Sequence, residues 1–224
     1  MNTLVTAAQL RALSPNCDAV ALGPALDRAC RKYNINTDRR IRHFIAQIAH
    51  ESLGLTRLSE NLNYTTAARI REVWPKRFPT VESARPFVSN PRALANKVYG
   101  GRLGNIGPDD GWRYRGGGLI GNTGRANYAL ASGHVGLNLV EEPDLLRTPD
   151  VAALAAAGFW AANGLNAVAD QDDDEILAIT MAEHLAVNEE DDLVAITRGV
   201  NGGLIGLADS RAWLQRTARI WSAR

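Results

Sequence analysis

Apolar residues recur at three- and four-residue steps along most of the chain, the spacing of one face of an α-helix. The pattern predicts helices over Thr6–Leu13, Ala19–Tyr33, Asp38–Leu53, Thr66–Trp74, Pro91–Tyr99, Pro149–Asn163 and Leu207–Trp221. Stop signals agree: Pro15, Gly54, Pro75, the Gly100–Gly101 pair and Gly164 each follow one of these segments. Alternation of the β-strand kind is nearly absent. The longest irregular stretch, Gly100 to Gly121, is glycine-rich and has room for one short hairpin. The expectation is a mainly α, α+β domain with a small irregular or β-hairpin region.

Within that stretch, YRGGGLIGNTGRANY (Tyr114–Tyr128) places Gly116, Gly118 and Gly121 in the order G-x-G-x-x-G. A dinucleotide loop of this form needs a buried strand before it and a helix opening on its last glycine. Tyr114-Arg115 is a poor strand and no βαβ alternation surrounds it, so the nucleotide reading fails on context.

Chemistry first shows in DRRIRHFIAQIAHESL (Asp38–Leu53). At 100° per residue Ile41, Phe44, Ile45 and Ile48 form one apolar stripe, and Glu51 projects along its edge. A carboxylate turned toward a core is costly unless paired or protonated, and the protonated form is what a general acid needs. The alternative is a structural ion pair with an arginine from elsewhere. His50-Glu51 also begins an H-E-x-x-H zinc pattern, but its fifth position is Gly54 and His43 is a full seven residues from His50. A second carboxylate, Glu60, sits among polar neighbours in SENLNY, surroundings that suit an ionised base. Two carboxylates in contrasting environments are the apparatus of glycoside hydrolysis. On one continuous helix their nine-residue separation would span ~13 Å, beyond the ~6.5–9.5 Å of an inverting pair, so the chain must turn back near Gly54.

Composition narrows the field. The 224 residues carry a net charge of +1 with 22% charged residues, which offers no basic field for nucleic acid. No apolar run reaches the ~18 residues of a membrane span, and the opening MNTLVTAAQLRALSP lacks a signal pattern, so a soluble product made in the cytoplasm is expected. One domain over residues 1–224 is expected, without a separate wall-binding domain. Cys17 and Cys30 make no framework; Cys30 shares a helical face with Leu22, Leu26 and Tyr33, which favours a buried thiol over a disulfide. Late in the chain Glu175–Thr180 is echoed by Asp192–Thr197, each after an acidic run, which reads as two amphipathic helices with acidic first turns.

Four motifs in this order, FIAQIAHESLGL (Phe44–Leu55), SENLNY (Ser59–Tyr64), the segment Asn96–Tyr128 and VNGGLIGLADSR (Val200–Arg211), resemble glycoside hydrolase family 19, the chitinase-like enzymes that include many bacteriophage endolysins. The resemblance spans most of residues 4–224 and implies a lysozyme-like helical fold whose cleft binds β-1,4-linked N-acetylated sugars. It implies Glu51 as general acid, Glu60 as the carboxylate that activates water, and Thr123 as the hydroxyl that holds that water. Asn127, Tyr128, Asn201 and Arg211 fall on its substrate-side positions, with simple turn chemistry as the other reading of Asn201. Trp112 and Tyr114 are candidates to stack on sugars or to anchor the loop. Arg113 and Arg115 are candidates to meet substrate carboxylates or to stay solvated. No cofactor or metal is implied.

The usual family form near RGRGLIQLTGRANY is altered here: Gly117 replaces an arginine, Gly121 a glutamine and Asn122 a leucine, which leads us to expect a looser segment and an altered subsite. The acidic segment Gln171–Asp192 is also longer than the family pattern suggests. Among substrates, peptidoglycan is expected ahead of chitin, with a non-catalytic glycan-binding derivative and a lytic transglycosylase as alternatives. A monomer is expected, held in the host cytoplasm until a holin-like partner opens the membrane, then acting on the wall in the periplasm.

Overall fold

A computed structural model of the chain describes residues 2–171 and 207–221. Its helices are α1 (Ala7–Leu13), α2 (Ala19–Lys32), α3 (Asp38–Glu51), α4 (Ala67–Val73), α5 (Val81–Ala84), α6 (Pro91–Tyr99), α7 (Asp110–Arg113), α8 (Arg125–Val135), α9 (Pro149–Ala162), α10 (Leu165–Ala169) and α11 (Leu207–Ile220). Each of the seven helices expected from apolar spacing within the described residues is present. Among the described residues the one sizeable helix the pattern misses is α8, whose sequence RANYALASGHV carries no clear apolar stripe and an internal glycine. The echoed acidic segments Glu175–Thr180 and Asp192–Thr197 lie outside the described residues.

Local chemistry sets the starts. Thr6, Asp18, Thr37, Thr66, Thr80 and Asn90 each accept a first-turn amide proton, and Thr6 forms a full capping box with Gln9. Helix α3 is buried nearly all round: beside its apolar stripe, His43 and Gln47 are also inside. It packs against α11, α9 and α10, while α9, rich in alanine, lies between α2 and α8. Cys30 is a fully buried free thiol on α2, as its helical face suggested, and Cys17 is free as well.

A second apolar cluster is built by Leu62, Ile70, Phe78, Ala84, Leu94, Ala95 and Val98 around α4, α5 and α6. A third forms around Tyr114, Tyr128 and Leu146. The irregular stretch between them lacks ladders and is held by side chains instead. Asn96 accepts from the Trp112 amide (2.7 Å), Asn105 accepts from the Arg125 amide (2.8 Å) and donates to Tyr99 O (3.0 Å), and buried Asp110 accepts from Ile106 and Gly107. Such side-chain bonds satisfy backbone groups that no strand or helix pairs. The expected hairpin is a minimal one: Gly117 and Asn122 exchange two backbone hydrogen bonds, and Gly117 also bridges Ser59.

Candidate active site

Glu51 is the last residue of α3. Beyond it Ser52 caps the helix, and Leu53, Gly54 and Leu55 all take left-handed φ of 51°, 70° and 62°. The Gly54 amide reaches back to Ala49 O at 2.7 Å, the long bond of a Schellman ending. Here the first left-handed position holds a leucine where glycine is usual, a strained backbone beside a candidate catalytic group. The buried Ser14 hydroxyl donates to Gly54 O at 2.6 Å and ties the turn to the end of α1. The chain does turn back where the carboxylate spacing required it.

The Glu51 side chain is 21% exposed. Gln47, one turn earlier, donates to its Oε1 at 3.2 Å, and His50 Nε2 lies 3.9 Å from the same oxygen. His50 Nδ1 lies 2.6 Å from Asp209 Oδ2 on α11. The ion pair with an arginine that was the alternative for Glu51 is not what surrounds it among the described residues: its named contacts are an amide and an imidazole.

After the turn the chain meets the glycine-rich segment through a single antiparallel bridge: Gly118 N donates to Leu58 O (3.0 Å) and Glu60 N to Gly116 O (2.9 Å). The Glu60 carboxylate is held at both oxygens. The Gly116 amide donates to Oε1 and the Tyr99 hydroxyl to Oε2 at 2.8 Å. Burial, then the Glu60 charge, push the Tyr99 phenol far above its ordinary value, so it stays a donor. Gly116 is a glycine for space: a Cβ there would lie 3.1–3.3 Å from three Glu60 side-chain carbons. Tyr99 was not foreseen, since a tyrosine ending a helix reads as core until the fold shows what its hydroxyl meets.

Arg115 lies next in the chain to this clamp. Its guanidinium stacks 3.9 Å over the Trp112 ring and donates to Trp112 O at 2.9 Å. Burial, then the charge of Arg147, lower its pKa. Arg113 instead reaches the Val140 and Glu141 carbonyls. Tyr114 and Tyr128 are 1% and 0% exposed and meet edge to face, with the Tyr114 hydroxyl donating to Val140 O. Buried rings present no face to a sugar, so both are corrected from substrate-side residues to anchors of the segment.

The same anchoring explains Gly117. The Tyr128 hydroxyl donates to Arg115 O (2.6 Å) and accepts from Arg147 (2.9 Å), and Arg147 also donates to Arg113 O and Arg115 O. Arg147 Cγ and Nε would lie 3.6 Å from a Cβ at Gly117. The segment is therefore packed at 117 rather than loosened. Gly121 differs: φ is +63° and a Cβ would meet nothing within 4 Å. That departure does open space.

Thr123 donates to Gly121 O at 2.9 Å, and exposed Asn127 donates to Thr123 O at 2.8 Å. With Gly121, Asn122, Leu130 and Phe159 they line a pocket of about 470 Å³. Neither Glu51 nor Glu60 lines that pocket. Arg211 is half-buried on α11, the helix that crosses α3. Asn201 lies outside the described residues.

No family model matches the chain. Across 179 residues, 79% of this chain and 77% of the relative, it is 33% identical to a glycosyl hydrolase family 19 domain-containing protein of Haemophilus influenzae. Its backbone superposes on chitinase C from Streptomyces griseus with a TM-score of 0.54 at 18% identity, covering 98% of this chain and 93% of that one. A bacterial family 19 chitinase superposes with a TM-score of 0.55 at 17% identity, over 99% and 96% of the two chains. The fold is thus the lysozyme-like one of these chitinases.

Proposed function

Because the chain belongs to glycosyl hydrolase family 19 and is a glycoside hydrolase, we propose that it cuts β-1,4 bonds between N-acetylated sugars, with Glu51 as acid and Glu60 as base. The observation that carries the assignment of roles is the unequal holding of the two carboxylates. Glu60 receives a backbone amide and a phenol, two donors that suit a carboxylate waiting to take a proton. Glu51 has one oxygen held by Gln47, and among the described residues its Oε2 has no hydrogen-bond partner. Glu51 would donate its proton to the leaving glycosidic oxygen and become a carboxylate. Glu60 would take a proton from water, whose oxygen bonds to the anomeric carbon from the opposite face, with inversion. By the family resemblance Thr123 would hold that water; its hydroxyl donates to Gly121 O, which leaves its oxygen as the acceptor it would use.

Peptidoglycan is the preferred substrate, in the setting of a phage-type endolysin that reaches the wall once a holin-like partner opens the membrane. Support comes from Arg115, a cation next in sequence to the Gly116 clamp; by exchanging its 3.8 Å contact with exposed Asp144 it would give stem-peptide carboxylates a partner that chitin would not use. Chitin is the second reading, favoured by the fold shared with the two chitinases.

Mass spectrometry of fragments released from peptidoglycan and from chitin oligomers, with Glu51→Gln and Glu60→Gln alongside, tests this. Hydrated reducing ends from the parent and none from either variant are expected. Anhydro ends, or an active Glu60→Gln, would replace water activation with transglycosylation. An inactive parent that still binds glycan would overturn catalysis.

A further inference from the structure

Asp209 and His50 have no assigned task, yet they form a chain that ends on the proposed acid. Asp209 is on α11 and His50 on α3, and these helices pack on each other. Asp209 Oδ2 is 2.6 Å from His50 Nδ1, and on the far side of the ring Nε2 is 3.9 Å from Glu51 Oε1. A carboxylate accepts only, so the contact requires a proton on Nδ1 and fixes both the ring plane and, in a neutral ring, the tautomer. The Asp209 side chain is 60% exposed, so the pair is poorly placed to contribute much stability as a surface ion pair.

We propose that Asp209 and His50 are positioning residues for Glu51: Gln47 holds Oε1, and the imidazole that Asp209 orients stands beside it, so that Oε2 is the oxygen that presents the proton. The inference rests on the acid role given to Glu51 above. Gln47 supports Oε1 by a direct bond of 3.2 Å. The ring stands beside the same oxygen and limits the carboxyl's rotation without binding it. Removing Asp209 leaves every substrate-side residue in place but frees the ring, so the loss falls on the chemical step and not on binding.

The test uses the full chain with ¹⁵N-labelled histidine and ¹³C-labelled glutamate. In the parent the His50 nitrogen shifts should show a proton on Nδ1. In Asp209→Ala they should move toward the Nε2–H form that free imidazole prefers, and the Glu51 carboxyl shift should move with them. Kinetically, kcat should fall by about tenfold or more with KM nearly unchanged, a loss of the size seen when an orienting partner is removed. Asp209→Glu, which keeps the carboxylate, should recover much of both signals. An unchanged His50 tautomer in Asp209→Ala, or an unchanged kcat accompanied only by a lower melting temperature, would reduce the pair to a tie between helices and overturn the proposal. If the parent shows no turnover on any glycan, the hydrolase reading fails by itself, and the coupled His50 and Glu51 shifts still decide whether the pair positions the carboxyl.

Discussion

Substituting Gly117 separates packing from family habit. The resemblance would favour an arginine there, but a Cβ on this backbone falls 2.6 Å from the Tyr128 hydroxyl oxygen. That oxygen cannot swing aside cheaply: Tyr128 is fully buried, and its hydroxyl bonds Arg115 O and Arg147. Overpacking of a tight site costs about 1–3 kcal/mol, and a displaced hydrogen bond about 1 kcal/mol more. For Gly117→Ala the total is about 2–4 kcal/mol, which in a domain of this size lowers the melting temperature by roughly 5–15 °C. Gly121→Gln is the control. A Cβ there meets no atom within 4 Å, so the left-handed φ of +63° is the expected cost, about 1–2 kcal/mol. Thermal unfolding followed by circular dichroism measures both. Gly117→Ala melting within about 2 °C of the parent would refute the packing argument, because it would place the cost below a single kcal/mol.

Other outcomes follow from the same contacts. Tyr99→Phe removes one of two donors on Glu60; about 2 kcal/mol for a hydrogen bond to a charged group corresponds to on the order of thirtyfold in kcat, read by steady-state kinetics. Asp27 is depressed below the usual carboxylate range: burial works to raise it, but the Arg31 side chain and the Leu4 and Val5 amides outweigh burial. A depressed folded value gives stability that is present above the unfolded value of about 4 and lost as pH falls through the folded one. Melting temperatures of the parent and Asp27→Asn should therefore differ at neutral pH and converge in acid. Cys30, whose thiol burial pushes far up, should react with a thiol reagent only as the protein unfolds; reaction at the rate of a free thiol in the native protein would contradict its burial.

Reading by periodicity works for α2, α3, α6, α9 and α11 because each buries one stripe, or in α9 nearly its whole surface, and burial of that kind is written in local spacing. Glu51 is legible for the same reason, as a carboxylate at the margin of a stripe. Glu60 is legible as a candidate from its polar neighbours, whereas Thr123 is marked only by motif. Helix α8 escapes because it buries only Tyr128 and Ala131 along its length, too few positions to write a stripe. Gly117 and Gly121 look alike in sequence, yet one is enclosed by Tyr128 and Arg147 and the other faces open space. Only the return of the chain through Leu53, Gly54 and Leu55 brings Ser59 and Glu60 onto Gly116 and Gly117, and only the packing of α6 against this region sets the Tyr99 hydroxyl on Glu60. Likewise Asp209 meets His50 across 159 residues of chain. Sequence alone determined the helical class and the turn near Gly54 and singled out Glu51 and Glu60 as candidates, since these readings depend on neighbours a turn or two away. The tertiary structure decided what holds each carboxylate and which aromatics are buried, because those contacts join residues far apart in the chain.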